Sequence, residues 1–306
     1  MTYVQSFGIL LFFVLFTKLV AAQGCSDAGF CTIGNFNQTD PVSGEHRMHK
    51  HAIDMVFIYG AHGKNERFYQ PQLNYRLVKK DGAFYELRLP FTIAKNIATG
   101  FVNRGIGDAI ITYNSNFALA KRKIDYSLGI RASFTNAGKS DRKGVASYPM
   151  YLQSGLGTTD LVAVVNYDAG KYLSLGTGVQ LPVVQYNENV MVFSTAGGMI
   201  TGMQYRRMPD ALLKLTGHYA SGKFKFSGGL LSIFHVENDH YNTAQGKYIL
   251  EGSKGTTINV NAELNFALTK NLAFGFLYAE PLVTRKNIPD GLARSRIYAP
   301  KVTYMF

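Results

Sequence analysis

No tryptophan occurs in this chain, and only two cysteines do. So few thiols exclude a scaffold built on a disulfide framework and a zinc site made of four cysteines. Missing tryptophan removes the residue most at home at a membrane interface, leaving 19 Tyr and 21 Phe to do any such work. Beyond residue 22 no apolar run approaches the roughly 18 residues that a spanning helix requires. Acids are scarce too, with Asp and Glu totalling 20 against 32 Lys and Arg, a formal charge of +12. A basic balance raises nucleic acid as a partner. Here, however, the cations are dispersed in turns such as Lys79-Lys80 and Lys121-Arg122-Lys123. No basic helix carries a groove-reading surface, so nucleic acid is excluded. Cationic turns beside lipid headgroups account for the charge.

What is present begins with GILLFFVLF at residues 8–16, followed by Leu19-Val20-Ala21-Ala22-Gln23. The apolar core is too short to span, and Val20 and Ala22 satisfy the small-residue cleavage rule, so residues 1–22 read as a secretory signal. A membrane anchor and a lipoprotein modified at Cys25 are the alternatives. Residues 23–50 then form an N-terminal periplasmic segment containing Cys25 and Cys31. In an exported chain these two are expected to form a disulfide closing a small loop, with a two-thiol metal site as the weaker reading. His46, His49 and His51 lie together just before the first strand. Neutral imidazoles at this spacing are weak metal candidates, set against simple exposure at the mouth. No cofactor is implied.

From residue 51 to 306 the apolar residues are spent on alternation. In KIDYSLGIRASF, Ile124, Tyr126, Leu128, Ile130, Ala132 and Phe134 fall on one face, and Asp125, Ser127, Gly129, Arg131 and Ser133 on the other. AFYELRLPFTI and TTINVNAELNF repeat the rule, the period of a two-faced strand. Strands are expected near 52–61, 67–78, 83–93, 107–119, 124–135, 159–168, 172–183, 210–220, 223–235, 255–267, 271–283 and 296–306, twelve in all. Their connections alternate strictly between tight turns and longer loops. The even count and this asymmetry predict an all-β, closed, antiparallel up-and-down transmembrane barrel, with tight turns in the periplasm and long loops outside. Closure also leaves no backbone group unpaired in lipid. The stretch 189–207 could add a hairpin turning at Gly197-Gly198, raising the count to fourteen. A soluble sandwich or secreted barrel is the competing architecture, and a water-soluble particle would bury Leu89, Leu128 and Leu264.

If the greasy face meets acyl chains, the other face lines the lumen. The candidates there are Arg76, Glu86, Arg88, Asp108, Asp125, Arg131, Lys225 and Glu263, which either border a narrow passage or cross-link the interior. Constriction is expected near the periplasmic end. His235, Glu237, Asp239 and His240 form a polar group at the outer end of a strand, within reach of Arg285, Asp290, Arg294 or Arg296. No catalytic residue stands out. No nucleophile elbow is visible, and Ser232 and His235, three apart on a strand, point to opposite faces.

Three stretches carry likenesses. The closing YMF, with Tyr304 and Phe306 on one stripe, resembles the terminal strand that the barrel-assembly machinery recognises in Gram-negative outer-membrane barrels. RGIGDAIITYNSNF at 104–117 resembles the Gly-x-Gly-Asp strand start of barrels that transport long-chain fatty acids or aromatic-degradation intermediates, the FadL-like and phenol-degradation MetA-pathway-like groups. The succession GCSDAGFC, RGIGDAIITY, SIFHVENDHY and PDGLARS extends the resemblance across nearly the whole mature chain. It implies an outer-membrane protein that passes or binds a small, hydrophobic solute of unknown identity. The alternative is a structural or surface-binding barrel acting through its long loops. Either way the partners are the outer-membrane bilayer and the assembly machinery.

Overall fold

The structure is a computed structural model that describes residues 49–62, 65–119, 122–140, 146–290 and 296–306. The signal segment, Cys25, Cys31, His46 and Arg294 lie outside the described residues. In chain order the strands are β1 (His51–His62), β2 (Glu66–Val78), β3 (Phe84–Asn96), β4 (Val102–Ile106), β5 (Ala109–Leu119), β6 (Arg122–Ala132), β7 (Thr158–Asp168) and β8 (Leu173–Gln185). They continue as β9 (Val190–Thr195), β10 (Gly198–Arg206), β11 (Asp210–Ser221), β12 (Phe224–His235), β13 (His240–Thr243), β14 (Gly246–Ile249), β15 (Gly255–Ala267), β16 (Leu272–Val283) and β17 (Arg296–Met305). One 3-10 turn, Met150–Leu152, interrupts the β structure.

Every sequential barrel pair is antiparallel, and β1 joins β17 through a register that sets Ala52 against Met305 and Tyr59 against Tyr298. With β2 bonded to both β1 and β3, the ring closes. β4 and β5 are two halves of one crossing, both paired to β3 and separated by a break at Gly107-Asp108. Counted so, twelve strands circle the barrel. The hairpin expected at 189–207 exists as β9–β10, turning at the expected glycines, but it adds nothing to the ring. It pairs through β10 with β13, and β13 with β14, to form a separate four-stranded sheet. Fourteen strands is therefore corrected to twelve. The physical reason is length, since β9, with 6 residues, and β13, the strand that pairs with β10, with 4, fall short of the roughly nine that cross hydrocarbon, so β10 has no long partner on either side. The gap left between the expected strands 83–93 and 107–119 is also corrected, because β3 and β4 run through most of it.

Leu89, Leu128 and Leu264 are 37%, 53% and 45% exposed. They project from the barrel wall, as do Met55, Phe57, Ile111, Ile130, Leu213 and Phe274. No helix among the described residues is long and apolar enough to cross a membrane; the apolar surface belongs to the strands. Aromatic rings collect toward both rims. Near the tight turns, Tyr85, Tyr113 and Tyr126 stand in sequence, with centroids 5.2 and 6.2 Å apart. Toward the long loops, Tyr69, Tyr59, Tyr298 and Tyr278 form a row with spacings of 5.3, 6.3 and 5.4 Å. Tyr304 and Phe306 are both exposed, stacked at 5.7 Å, with Phe306 also against His51.

The interior departs from an all-polar expectation. Ile110, Val162, Val164, Leu212, Leu231 and Ile233 form a buried apolar cluster inside the ring. β5, β7, β11 and β12 supply it, so this side of the barrel is packed as a core. Ile58, Phe68, Ala279, Ile297 and Ala299 form a second cluster across the barrel, nearer the long-loop end. A third, outside the ring, joins Ala137, Met150, Leu156, Tyr205, Tyr241 and Leu250. It ties Ala137, Met150 and Leu156 of the connection after β6 to the four-stranded sheet, giving the long-loop end a folded cap.

Candidate functional site

The lumen retains space where it is not packed. A cavity of about 70 Å³ lies among β1, β2, β3, β15, β16 and β17, and a second of about 40 Å³ lies between β2, β3, β5 and the turn at 150–156. Gln72 and Arg88 border both. These two side chains stand part-way along β2 and β3.

A ladder of opposite charges runs along the first cavity. Asp54 on β1 is 3.8 Å from Arg76 on β2, Arg76 is 3.8 Å from Glu86 on β3, and Glu86 accepts from Arg88 at 2.6 Å. Strand alternation places each of these inward. Opposite them, Glu263 on β15 accepts from Lys301 on β17 at 3.0 Å and from Asn265 at 3.1 Å. Lys301 reaches across β16 because residue 275 is glycine. A Cβ there would stand 2.7 Å from the Lys301 side chain and 2.7 Å from Asn265 Oδ1.

Over the second cavity the Gly-x-Gly-Asp stretch does more than turn the chain. Gly107 N–H donates to Pro90 O at 2.8 Å, and the bare backbone of Gly105 and Gly107 lets Ser154 approach. Asp108, set in the break between β4 and β5, accepts from Leu156 N–H at 3.1 Å and from the Arg131 guanidinium. Gly155 packs directly on Asp108 and Ser133, with no room for a Cβ. Residues 152–156 are thereby drawn into the barrel mouth, where Asn103 donates to Leu152 O at 2.6 Å.

Arg131 begins a larger ionic network that sequence reasoning did not assemble. It faces Asp160 at 3.5 Å, and Asp160 faces Arg207 at 3.7 Å. Arg207, fully buried, pairs with Asp210 and with Asp290 at 3.4 Å. His235 bridges Asp210 (2.6 Å) and Asp239 (2.8 Å), and Tyr205 O–H donates to Asp239 at 2.7 Å. Arg285 closes the chain of contacts, 3.3 Å from Asp290 and donating to Ser253 O at 2.9 Å. Seven segments, at residues 108, 131, 160, 205–210, 235–239, 253 and 285–290, are pinned across the long-loop end by these pairs. The expected polar group around His235, Asp239, Arg285 and Asp290 is part of it; Arg296 instead binds Glu280 at 2.9 Å.

Burial raises the Asp290 carboxyl pKa, but Arg285 first, then Arg207 and His235, outweigh it and hold the group at about 2. Because the folded value lies below the ordinary 3.8, this carboxylate stabilises the cap fully above pH 4. The contribution fades as pH falls through about 2. Near-UV circular dichroism, which sees the buried Tyr205 and Tyr241, is expected to stay constant from pH 7 to 4 and decline only below about pH 3. Loss already at pH 6 would contradict this. Tyr205 itself is pushed well above its usual pKa by burial and by Asp239, so the phenol stays a donor.

The remaining candidates lie elsewhere. Asp125 pairs with Lys123 at 2.8 Å near the tight-turn rim. Lys225 stands opposite Asn265 at the start of β12. His49 contacts Lys270 O at 3.1 Å, and His51 contacts the Tyr75 hydroxyl at 2.7 Å. These two imidazoles therefore serve different partners. No grouping of His, Cys, Asp and Glu suited to a metal occurs among the described residues. A Ser–His pair that the sequence did not reveal does exist: Ser174 Oγ lies 2.8 Å from His218 Nε2. Ser174 is paired with Asp168 on one side and Thr216 on the other. Its backbone is committed to the sheet on both sides.

No protein-family model matches the chain, and no curated protein matches it in sequence. Solved structures do match in shape. An outer-membrane channel from Pseudomonas putida F1 superposes with a TM-score of 0.60 at 12% identity, covering 88% of this chain and 98% of its own. The NanC porin gives 0.45 at 12% identity, over 83% and 98% of the two chains. The toluene transporter TodX of P. putida gives 0.40 at 11% identity, over 84% and 89%. The last two agree too loosely to define an architecture, and at such identity the first defines the fold alone. This chain therefore has the closed antiparallel β-barrel fold of that Pseudomonas outer-membrane channel.

Proposed function

We propose that the protein is an outer-membrane barrel through which small solutes diffuse along the β1–β3 side of the lumen. Tight turns face the periplasm and the folded cap faces outside. The observation that carries this reading is the division of the interior. An apolar cluster fills the side of β5, β7, β11 and β12, whereas two cavities bordered by both charged and apolar side chains follow β2 and β3. A purely structural barrel has no need to leave charged groups around empty space. The apolar outer wall, the aromatic rims and the fold likeness to a channel support the membrane setting. A hydrophobic cargo is what the sequence resemblance implies; here both polar and apolar side chains border the space.

Planar-bilayer recordings and solute-swelling assays on the purified full chain test the reading. Small, slow conductance steps are expected, with swelling only for solutes of a few carbon atoms. A barrel that neither conducts nor admits any solute, with or without residues 23–50, would overturn it. The four-stranded sheet with its own core favours a second reading, in which the cap binds a surface partner and transport is absent.

A further inference from the structure

Arg88 is the buried cation whose hydrogen-bonding capacity the barrel leaves most conspicuously open. Its side chain is 7% exposed and spends one donor, Nη2, on Glu86. Nε and Nη1 have no acceptor. Guanidinium donors withheld from water are costly unless something completes them, and Arg88 lines both cavities. The other charges of the first cavity are matched. Glu263 holds Lys301, and Arg76 lies between Asp54 and Glu86 while stacking over Phe84 at 5.2 Å. Among the described groups around this space, no second carboxylate is placed on Arg88. The walls beside it are apolar, made by Val56, Ile58, Phe84 and Leu277.

From this geometry, and resting on the passage reading above, we infer that Arg88 is the anion-binding element of a mid-lumen subsite for small monocarboxylates with a compact apolar body. The carboxylate accepts from Nη1 and from the remaining proton of Nη2, a pairing that guanidinium geometry favours. The body lies against the apolar wall. Size agrees: where one water takes roughly 10–15 Å³ on this measure, about 70 Å³ holds some five to seven waters. That is near the bulk of one aromatic ring with its carboxylate. Bare inorganic anions would gain the charge contact without the wall.

Calorimetric titration of benzoate and its neutral analogue benzamide into the detergent-purified full chain tests the inference independently of conductance. Benzoate is expected to bind at least about tenfold more tightly than benzamide, the difference a charge-assisted contact provides. R88Q should erase that preference, and R88K should keep part of it. Because R88Q leaves Glu86 buried beside one cation fewer, E86Q/R88Q is measured alongside, with heat-modifiable gel mobility reporting that each barrel is folded. Equal binding of the two probes, an unchanged preference in either folded Gln variant, or displacement of benzoate by equimolar chloride would each overturn the subsite. A silent bilayer recording would refute passage and leave this measurement standing; conductance without benzoate preference would do the reverse.

Discussion

Replacing Arg207 with Ala is expected to destabilise the barrel by about 3–5 kcal/mol and to raise its conductance. Arg207 is fully buried and touches three carboxylates, Asp160, Asp210 and Asp290. Creating such a pair from nothing is energetically close to neutral, because desolvation cancels attraction. Removing one partner is not, since uncompensated charge stays behind in a low-dielectric setting at a cost of about 3–5 kcal/mol. Asp160 would retain Arg131, Asp210 would retain His235 and Asp290 would retain Arg285, which places the loss within that range. The mechanical consequence follows from connectivity. Arg207 joins the segment leading into β11 to β7 and to the loop after β16, so its loss separates the cap from the barrel mouth. Arg207→Met preserves bulk, isolates charge and should cost nearly as much. Guanidinium unfolding in lipid vesicles measures the stability; bilayer recordings of the same preparation measure the opening. A change under about 1 kcal/mol would mean that the carboxylates already hold protons, and the network would lose its structural role.

That network explains why the barrel was readable and its contents were not. Alternation is local, so strands such as 124–135 and 255–267 announce both their extent and their outward face from a dozen consecutive residues. Leu128 and Leu264 point outward for the reason the pattern gave. Inward packing is less legible where both faces are apolar. Val162 and Val164 sit in LVAVV, and Leu212 in ALLKL, where period two is blurred and no residue declares which side is the lumen. The apolar interior cluster went unforeseen for that reason. Pairing partners are less legible still. Arg207 and Asp290 are 83 residues apart, and nothing in either neighbourhood names the other. The available clue was positional: RRMPD, HVENDH and IPDG each place charge just beyond a strand end on the long-loop side. Charges gathered at one rim by topology are candidates for one network. β13 and β14 escaped because four-residue strands carry too short a pattern to register.

Leu128→Arg carries the second large effect and tests the setting of the whole wall. Leu128 lies mid-way along β6, between Tyr113 of β5 and Ala163 of β7, and is 53% exposed. On a protein in water, such a surface exchange falls within about 0.5 kcal/mol of neutral. On a wall facing hydrocarbon, an arginine at the bilayer midplane costs about 2–4 kcal/mol, falling to about 0–1 near the interfaces. The two settings therefore predict different results for the same substitution, and a scan sharpens the contrast. Arginine at Ile124, Tyr126, Leu128 and Ile130, all on the same face of β6, should trace a cost that peaks near Leu128 and declines toward the tight-turn rim at Ile124. Reversible unfolding in vesicles reads each value. A flat profile near zero would place this face in water. Arginine at Leu128 would then sit harmlessly on the surface of a soluble barrel, and the aromatic rows at either rim would have no interface to mark.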